Sequence, residues 1–334
     1  MKVLYAIQGT GNGHLSRARD IIPILGRKKI ELDILVSGTQ ADIPIPYPIK
    51  YQLNGWSFIF GKKGGVDMWR TYLRTNTARL QKEIKSIPVT QYDLIINDFE
   101  PVTAWACKLQ NKACIGFSHQ AAVLAPGVPR PKKSDPLGKL ILRKYAPTTK
   151  SYGLHFKEYN KNIYTPIVRQ EIRKTTRSLK SHYTVYLPSY SDKKILNMLS
   201  KVKGIQWEVF SKHTRTNFFQ NNISVRKINN NAFIQSMASC QGMLCGAGFE
   251  TPAEVLHLGK KLMAIPMKGQ YEQQCNAAAL KEMGVPILKS LKMKHLGKLQ
   301  DWVESNRKVE VYYPDITEPI IDRILEEATA GVLH

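Results

Sequence analysis

Apolar residues in this chain fall into short continuous runs, separated by stretches with helical spacing. Val3-Leu4-Tyr5-Ala6-Ile7 is the first run, and residues 16–26 follow with Ile21, Ile22, Ile24 and Leu25 on one side. The alternation continues through runs at 31–37, 92–97 and 113–117, with helical patterns at 71–87 and 102–110. Continuous apolar strands between helices predict an α/β fold with a parallel sheet covered on both faces. A run at 163–167 reads as the last strand of this half. A second series opens at 183–187 and continues at 205–210, 224–226, 242–245 and 262–266. The pattern predicts two Rossmann-like domains, 1–170 and 182–318, joined by a polar linker at 171–181. Residues 319–334 form a terminal helix expected to pack back toward the first domain.

Two glycine turns stand in matching places in the two series. Gly9-Thr10-Gly11-Asn12-Gly13-His14 follows the first run, and Gly246-Ala247-Gly248-Phe249-Glu250-Thr251 follows Gly242-Met243-Leu244-Cys245. Each reads as strand, tight turn, helix. Glycine permits the turn and a close approach of backbone to ligand. The helix start offers unpaired N–H groups and partial positive charge. The first turn is not a dinucleotide fingerprint, because His14 stands where the third glycine belongs and Ser37 ends the second strand where an acid belongs. It is not a P-loop either, since no Gly-Lys-Ser/Thr follows. There remains a histidine at a helix start, where the neutral imidazole is favoured and can act as a general base. A purely structural helix-start histidine fits the same pattern.

Asp98 ends a strand in the segment Asn97-Asp98-Phe99-Glu100-Pro101, and Ser118-His119-Gln120 follows another strand. Ligands of open α/β sheets gather at the carboxyl ends of strands. His14 and Asp98 can therefore meet there as a base and its orienter, although Asp98 also suits the N-cap of the helix at Val102. In the second half, Glu254 lies on the helix after the glycine turn, where a carboxylate can accept hydrogen bonds from ribose hydroxyls. The loop and helix start from Pro266 through Gln270, Glu272, Gln273 and Asn276 gather amide and acid groups of the kind that bind a sugar. Each of these residues also suits a surface loop capping a helix.

These motifs, in this order, resemble GT-B glycosyltransferases of the family 28 kind, the lipid II N-acetylglucosaminyltransferases and plant galactolipid synthases among them. Gly-Thr-Gly-x-Gly-His resembles that family's N-terminal glycine loop, and Gly-Ala-Gly-Phe-Glu-Thr-x-x-Glu its donor loop and helix. Glu272-Gln273 with Asn276 resembles its sugar-contacting motif, with an acid at Glu272 where the lipid II enzyme has an amide. Asp98-Phe99-Glu100-Pro101 and Ser118-His119-Gln120-Ala121 resemble a poorly characterised subgroup of glycosyltransferases. The resemblance implies an inverting transfer from a nucleotide-sugar, a UDP-sugar by expectation, to a hydroxyl acceptor. His14 and Asp98 would be catalytic, with Gly11, Asn12, Gly13, Glu100 and His119 on the acceptor side. Gly246, Ala247, Gly248 and Phe249 would line the diphosphate, with Glu250 and Thr251 beside them. Glu254 would hold the ribose, and Gln270, Glu272, Gln273 and Asn276 the sugar. No Asp-x-Asp motif appears, and neither metal nor cofactor is expected.

The net charge of +23 from 49 Lys and Arg against 26 Asp and Glu is large. It favours anionic partners without choosing among them, and a merely lysine-rich surface also explains it. Residues 125–150 concentrate it: Pro126, Pro129, Pro131 and Pro136 alternate with Arg130, Lys132, Lys133, Lys139, Arg143 and Lys144. With Leu137, Leu140, Ile141 and Leu142 these read as a basic amphipathic helix able to lie on an anionic membrane, or as an ordinary core-facing helix. Trp69 and Tyr72, among Lys62, Lys63, Arg70 and Arg74, form a second candidate patch. The chain passes from Met1-Lys2 directly into a strand, no run approaches the ~20 apolar residues of a membrane span, and the five cysteines show no Cys-x-x-Cys pair. The expected location is the cytoplasm, peripheral on the inner face of the membrane. Two other readings fit: a nucleotide-sugar epimerase or hydrolase of the same fold, and a basic nucleic-acid-binding protein. The absence of a recognised nucleic-acid motif or stacking array disfavours the second.

Overall fold

The computed structural model describes residues 1–38, 44–56, 77–133 and 135–331. The second basic patch, at residues 62–74, lies outside them. The first sheet has seven strands: β1 (Lys2–Gln8), β2 (Glu31–Ser37), β3 (Tyr51–Leu53), β4 (Leu94–Asp98), β5 (Ile115–Ser118), β6 (Lys150–Leu154) and β7 (Ile163–Tyr164). Their spatial order is β3-β2-β1-β4-β5-β6-β7, parallel throughout. The second sheet has six: β8 (His182–Tyr186), β9 (Gln206–Ser211), β10 (Phe218–Gln220), β11 (Ile223–Lys227), β12 (Gly242–Gly246) and β13 (Lys261–Ile265). Their order is β10-β11-β9-β8-β12-β13, parallel except for the β10–β11 hairpin. Each order reverses direction beside its first strand, between β1 and β4 and between β8 and β12. Those reversals open a crevice at the strands' carboxyl ends.

The helices are α1 (Asn12–Arg27), α2 (Thr77–Ser86), α3 (Pro101–Leu109), α4 (Gln120–Val123), α5 (Pro136–Lys144) and α6 (Gln170–Arg173), followed by α7 (Asp192–Leu199), α8 (Asn230–Ser239), α9 (Glu250–His257), α10 (Tyr271–Glu282), α11 (Leu296–Glu304) and α12 (Thr317–Thr329). The central strands carry continuous apolar runs because both faces are covered: Val3 to Ile7 are fully buried, as are Ile95 and Val185. The largest apolar cluster runs through both halves, joining Tyr5 and Phe117 to Phe249 and Val255.

Several elements differ from the pattern. α1 begins at Asn12, four residues before the apolar face becomes visible, because Gly11 is extended (φ −155°, ψ 150°) and serves as N-cap. His14 therefore lies inside the first turn. β7 has two residues where the apolar run suggested five, since Pro166 has no N–H to give to a ladder. β6 occupies a segment to which the apolar pattern assigns no strand: only Tyr152, Gly153 and Leu154 of it are buried. α6 begins at Gln170 and runs into the first residues of the expected linker. α12 lies against the first sheet's helices: Lys28 Nζ is 2.6 Å from Glu318 and 2.7 Å from Asp322, and Arg323 donates to the Tyr164 hydroxyl at 2.6 Å.

Candidate active site

In-register pairing sets Asp98 beside Ile7, so the end of β4 lies next to the glycine turn that follows β1. The first turn of α1 then carries His14 over Asp98. Its Nδ1 is 2.8 Å from Asp98 Oδ1. A carboxylate oxygen accepts, so Nδ1 is the donor, and Nε2 is the nitrogen turned away from Asp98. That Nε2 lies 3.4 Å from the Gln120 side-chain amide nitrogen, a donor. Arg17, one turn after His14, donates through Nη2 to both Asp98 oxygens, at 2.6 and 2.7 Å. Asp98 has no exposure and Arg17 only 2%. Burial opposes the charge on Asp98, but Arg17 and His14 outweigh it and hold the carboxyl below its ordinary range.

The residues after Asp98 explain its freedom to do this. Phe99 has φ +56°, an uncommon conformation for a bulky residue, of the kind costing roughly 1–3 kcal/mol. The turn is closed by Asn97, whose side chain bonds Glu100 N–H and C=O at 2.8 Å each. Glu100 is the N-cap of α3, accepting from Val102 N at 2.7 Å, Thr103 N at 2.6 Å and the Ser37 hydroxyl at 2.6 Å. The cap role that Asp98 also suited thus belongs to Glu100. Glu100 is fully buried and, among the described residues, is not in the lining of either cavity described below.

Two cavities meet above this floor. One is a cleft of about 840 Å³ between the halves, reaching Asn12, Tyr186, Asn230, Thr251 and Glu254. The other, about 300 Å³, holds His14, Gln120, Gln270 and Glu272 with Phe99 and Phe249. Gly13 and Glu250 line both. A Cβ on Gly13 would stand 3.1 Å from Glu250 Cγ, so glycine is what lets α1 approach α9 there. The Glu250 carboxylate accepts from Arg17 Nη1. Burial pushes it up to about 7, with Arg17 opposing.

His119 bridges the halves. Its Nδ1 lies 2.8 Å from Leu154 O and its Nε2 2.7 Å from Asn276 Oδ1, while its ring stacks on Phe249 at 3.9 Å and 3°. It also lines the smaller cavity. Asn276 is fully buried, and its amide donates to Ala247 O at 3.2 Å. The residue expected at the sugar instead ties the Gly246-Ala247-Gly248 turn to His119 at the end of β5. Gln273 is likewise turned inward, accepting from Met267 N at 2.9 Å. Glu272 faces the smaller cavity and accepts from Gln120 at 3.1 Å. Gly246, Ala247 and Gly248 contribute backbone: Ala247 N is anchored on Ile265 O at 3.0 Å. Glu254 is engaged at both oxygens by Arg169, with Nη2 at 2.9 Å.

The basic helix has a face in the site. On α5, Leu137, Gly138, Ile141 and Leu142 line the smaller cavity, and Gly138 packs so closely on Tyr271 that a Cβ would fall 2.4 Å from it. Leu137 and Leu140 remain about half exposed, at 52% and 54%. Lys132, Lys133, Arg143 and Lys144 are exposed around them. Lys139 is half-buried on the same helix. Arg130 is also exposed, and its guanidinium donates to Leu124 O at 2.7 Å and Ala125 O at 2.9 Å. No helix among the described residues is long and apolar enough to cross a membrane. Among them, no group of three or more His, Cys, Asp or Glu is placed to hold a metal ion.

Sequence reasoning missed Arg17 and Arg169; Gln120 lay in the strand-end cluster it did single out, without a role of its own. Arg17 had one signal: it sits on the buried face of α1, with Leu15, Ala18, Ile21, Ile22 and Leu25. A charge on such a face needs a partner.

Two mostly parallel sheets facing across a cleft, each with a glycine turn at its reversal, define a GT-B glycosyltransferase architecture. The chain belongs to glycosyl transferase family 1, whose family model matches residues 1–304. Among solved structures it is similar to MurG of Acinetobacter baumannii, with TM-score 0.60 and 13% identity over 97% of this chain and 99% of that one. It is similar to UGT89C1 of Arabidopsis thaliana in complex with UDP, with TM-score 0.57 and 12% identity over 98% and 94%. UGT2 of Phytolacca americana, complexed with UDP-2fluoro-glucose and pterostilbene, gives TM-score 0.57 and 11% identity over 98% and 94%. No curated protein sequence matches. The resemblance to GT-B enzymes extends over the whole chain, and the protein is a glycosyltransferase.

Proposed function

We propose that the protein transfers a sugar, with inversion, from a UDP-sugar to a hydroxyl acceptor. The observation that carries this reading is the His14–Asp98 pair beside the junction of two cavities, opposite the donor loop. The larger cavity suits the nucleotide, with Glu254 beside the ribose. Structural neighbours were solved with UDP, with a UDP-sugar analogue and with dTDP, which supports a pyrimidine nucleotide, uridine being the nucleoside this proposal takes. The smaller cavity suits the acceptor. Its hydroxyl would give its proton to His14 Nε2 as its oxygen attacks the sugar's anomeric carbon from the face opposite the diphosphate. The anomeric C–O bond breaks, and its electron pair leaves on the diphosphate. The α9 N-terminus receives that charge through its N–H groups and dipole. Asp98 holds the Nδ1 proton and balances the imidazolium. This account uses neither metal nor cofactor.

A thermal-shift panel of UDP, GDP, TDP, ADP and their sugars tests the donor site. Stabilisation by uridine nucleotides, reduced in Glu254→Ala, is expected, as specific binding raises the midpoint through mass action. No shift with any nucleotide overturns the reading.

The same site favours an amphiphilic acceptor at an anionic membrane. Leu137 and Leu140 are exposed at the pocket wall, and Lys132, Lys133, Arg143 and Lys144 surround them. Each basic side chain near such a surface contributes about 1 kcal/mol. Sedimentation with phosphatidylglycerol vesicles should capture the protein at low salt, and Leu137→Ser/Leu140→Ser should release it. Equal sedimentation of wild type and variant removes α5 as the contact.

A further inference from the structure

Glu250 occupies an unexpected position. It begins α9, where unpaired N–H groups and the helix dipole would receive the donor diphosphate, yet it is an acid. Left ionised and alone, it would repel that ligand. It is not alone, because Arg17 reaches across from α1 to pair with it. Glu250 keeps 19% of its side chain accessible and, with Gly13, forms the partition between the nucleotide cleft and the His14 pocket. A nucleotide-sugar that places its sugar beside His14 must pass its diphosphate over this partition. Arg17 itself lines the smaller cavity, and its Nε is buried without a hydrogen-bond partner.

We propose that the Arg17–Glu250 pair is a plug between the two cavities, and that the diphosphate of a nucleotide-sugar replaces Glu250 as the partner of Arg17. This rests on the donor-site reading above. In the ligand-free state Arg17 divides its charge between Asp98 through Nη2 and Glu250 through Nη1. On donor binding the Nη1 arm turns to a phosphate oxygen, which meets the leaving group without a metal. The Nη2 arm stays on Asp98, so the base remains oriented. Glu250, displaced, takes one proton from solvent.

The groups around Glu250 favour that uptake. Arg17 and His14 face it from α1, Asp98 from β4, Glu254 from its own helix, and Arg169 lies beyond Glu254. Once Arg17 turns to the ligand, two carboxylates and a diphosphate surround a carboxyl that burial already pushes up to about 7.

Calorimetric titration with UDP-glucose tests this, since its diphosphate diester does not titrate between pH 6 and 8.5. In buffers of different ionisation enthalpy, wild type should take up close to one proton at pH 8. Its affinity should fall by up to ~10-fold for each pH unit above 7. Glu250→Gln, which keeps the shape and loses the charge, should bind ~10-fold tighter at pH 8, without proton uptake. Glu250→Ala should behave alike, which guards against a local effect of the amide. Equal, pH-independent affinity in wild type and both variants overturns the plug while leaving the donor site standing. Absence of UDP-glucose binding in all three, together with no response to the nucleotide panel, overturns both.

Discussion

Replacing His14 by alanine is expected to lower sugar transfer by ~10²–10⁴-fold, the usual contribution of a positioned general base, while nucleotide binding persists. The separation follows from placement. His14 lines the smaller cavity and not the larger cleft proposed for the nucleotide, and its polar partners are Asp98 and Gln120, with the Arg17 guanidinium also close. Asp98→Asn should be about as damaging, for a different reason. Arg17 donates to both oxygens of Asp98. An asparagine offers one oxygen, and its NH₂ must then face either Arg17 or His14 Nδ1. If the oxygen stays with Arg17, the NH₂ meets Nδ1 and forces the proton onto Nε2, the nitrogen that must be free to accept. Rates of transfer with the donor that the nucleotide panel selects, measured beside dissociation constants for that nucleotide, check both variants. Near-normal turnover in His14→Ala would mean that another group takes the proton.

The legible parts of this chain are those in which one strand or turn carries its own signal. Val3 to Ile7 is buried on both faces and reads as such. The glycine turns are visible because tight geometry restricts residue choice locally. β3 was invisible: three residues at a sheet edge, with Gln52 exposed, bury too little to leave a pattern. β6 begins with Lys150 and Ser151 and becomes apolar only at its end. The site divides likewise. His14 and Asp98 follow from strand ends and a known crevice. The inward turn of Asn276 does not, because its partners His119 and Ala247 lie 157 and 29 residues away. Nothing near Glu254 in sequence announces Arg169, 85 residues earlier. Local pattern locates the strand ends where chemistry gathers. It does not tell which polar residues there face solvent and which hold the halves together.

Arg17 is the extreme case, with partners 81 and 233 residues away, and its loss should be the most destabilising single change at this site. Arg17→Met keeps most of the volume and removes the charge. Asp98 then remains fully buried with only His14 beside it, and Glu250 loses the cation that offsets its burial. Breaking a buried pair by removing one partner typically costs about 3–5 kcal/mol. In wild type, Asp98 has a lowered folded value, so its contribution is complete above the ordinary carboxylate range and is lost as pH falls through that folded value. Glu250 works oppositely. Its folded value near 7 makes its ionised form a cost at neutral pH, relieved as pH falls from 7 toward its unfolded value. In Arg17→Met both carboxyls belong to the second kind, since burial is no longer opposed by the guanidinium. The stability gap to wild type should therefore be widest at pH 7–8 and narrow toward pH 5, where the orphaned carboxyls bind protons. Adding Asp98→Asn to Arg17→Met should recover part of the loss at pH 7, because the uncompensated charge goes with it. Urea unfolding of the two variants and wild type at pH 5 and 7.5 measures all three terms. A gap that does not change with pH would mean that Arg17 stabilises by packing alone, and the carboxylate cluster would then not be what holds the two halves together.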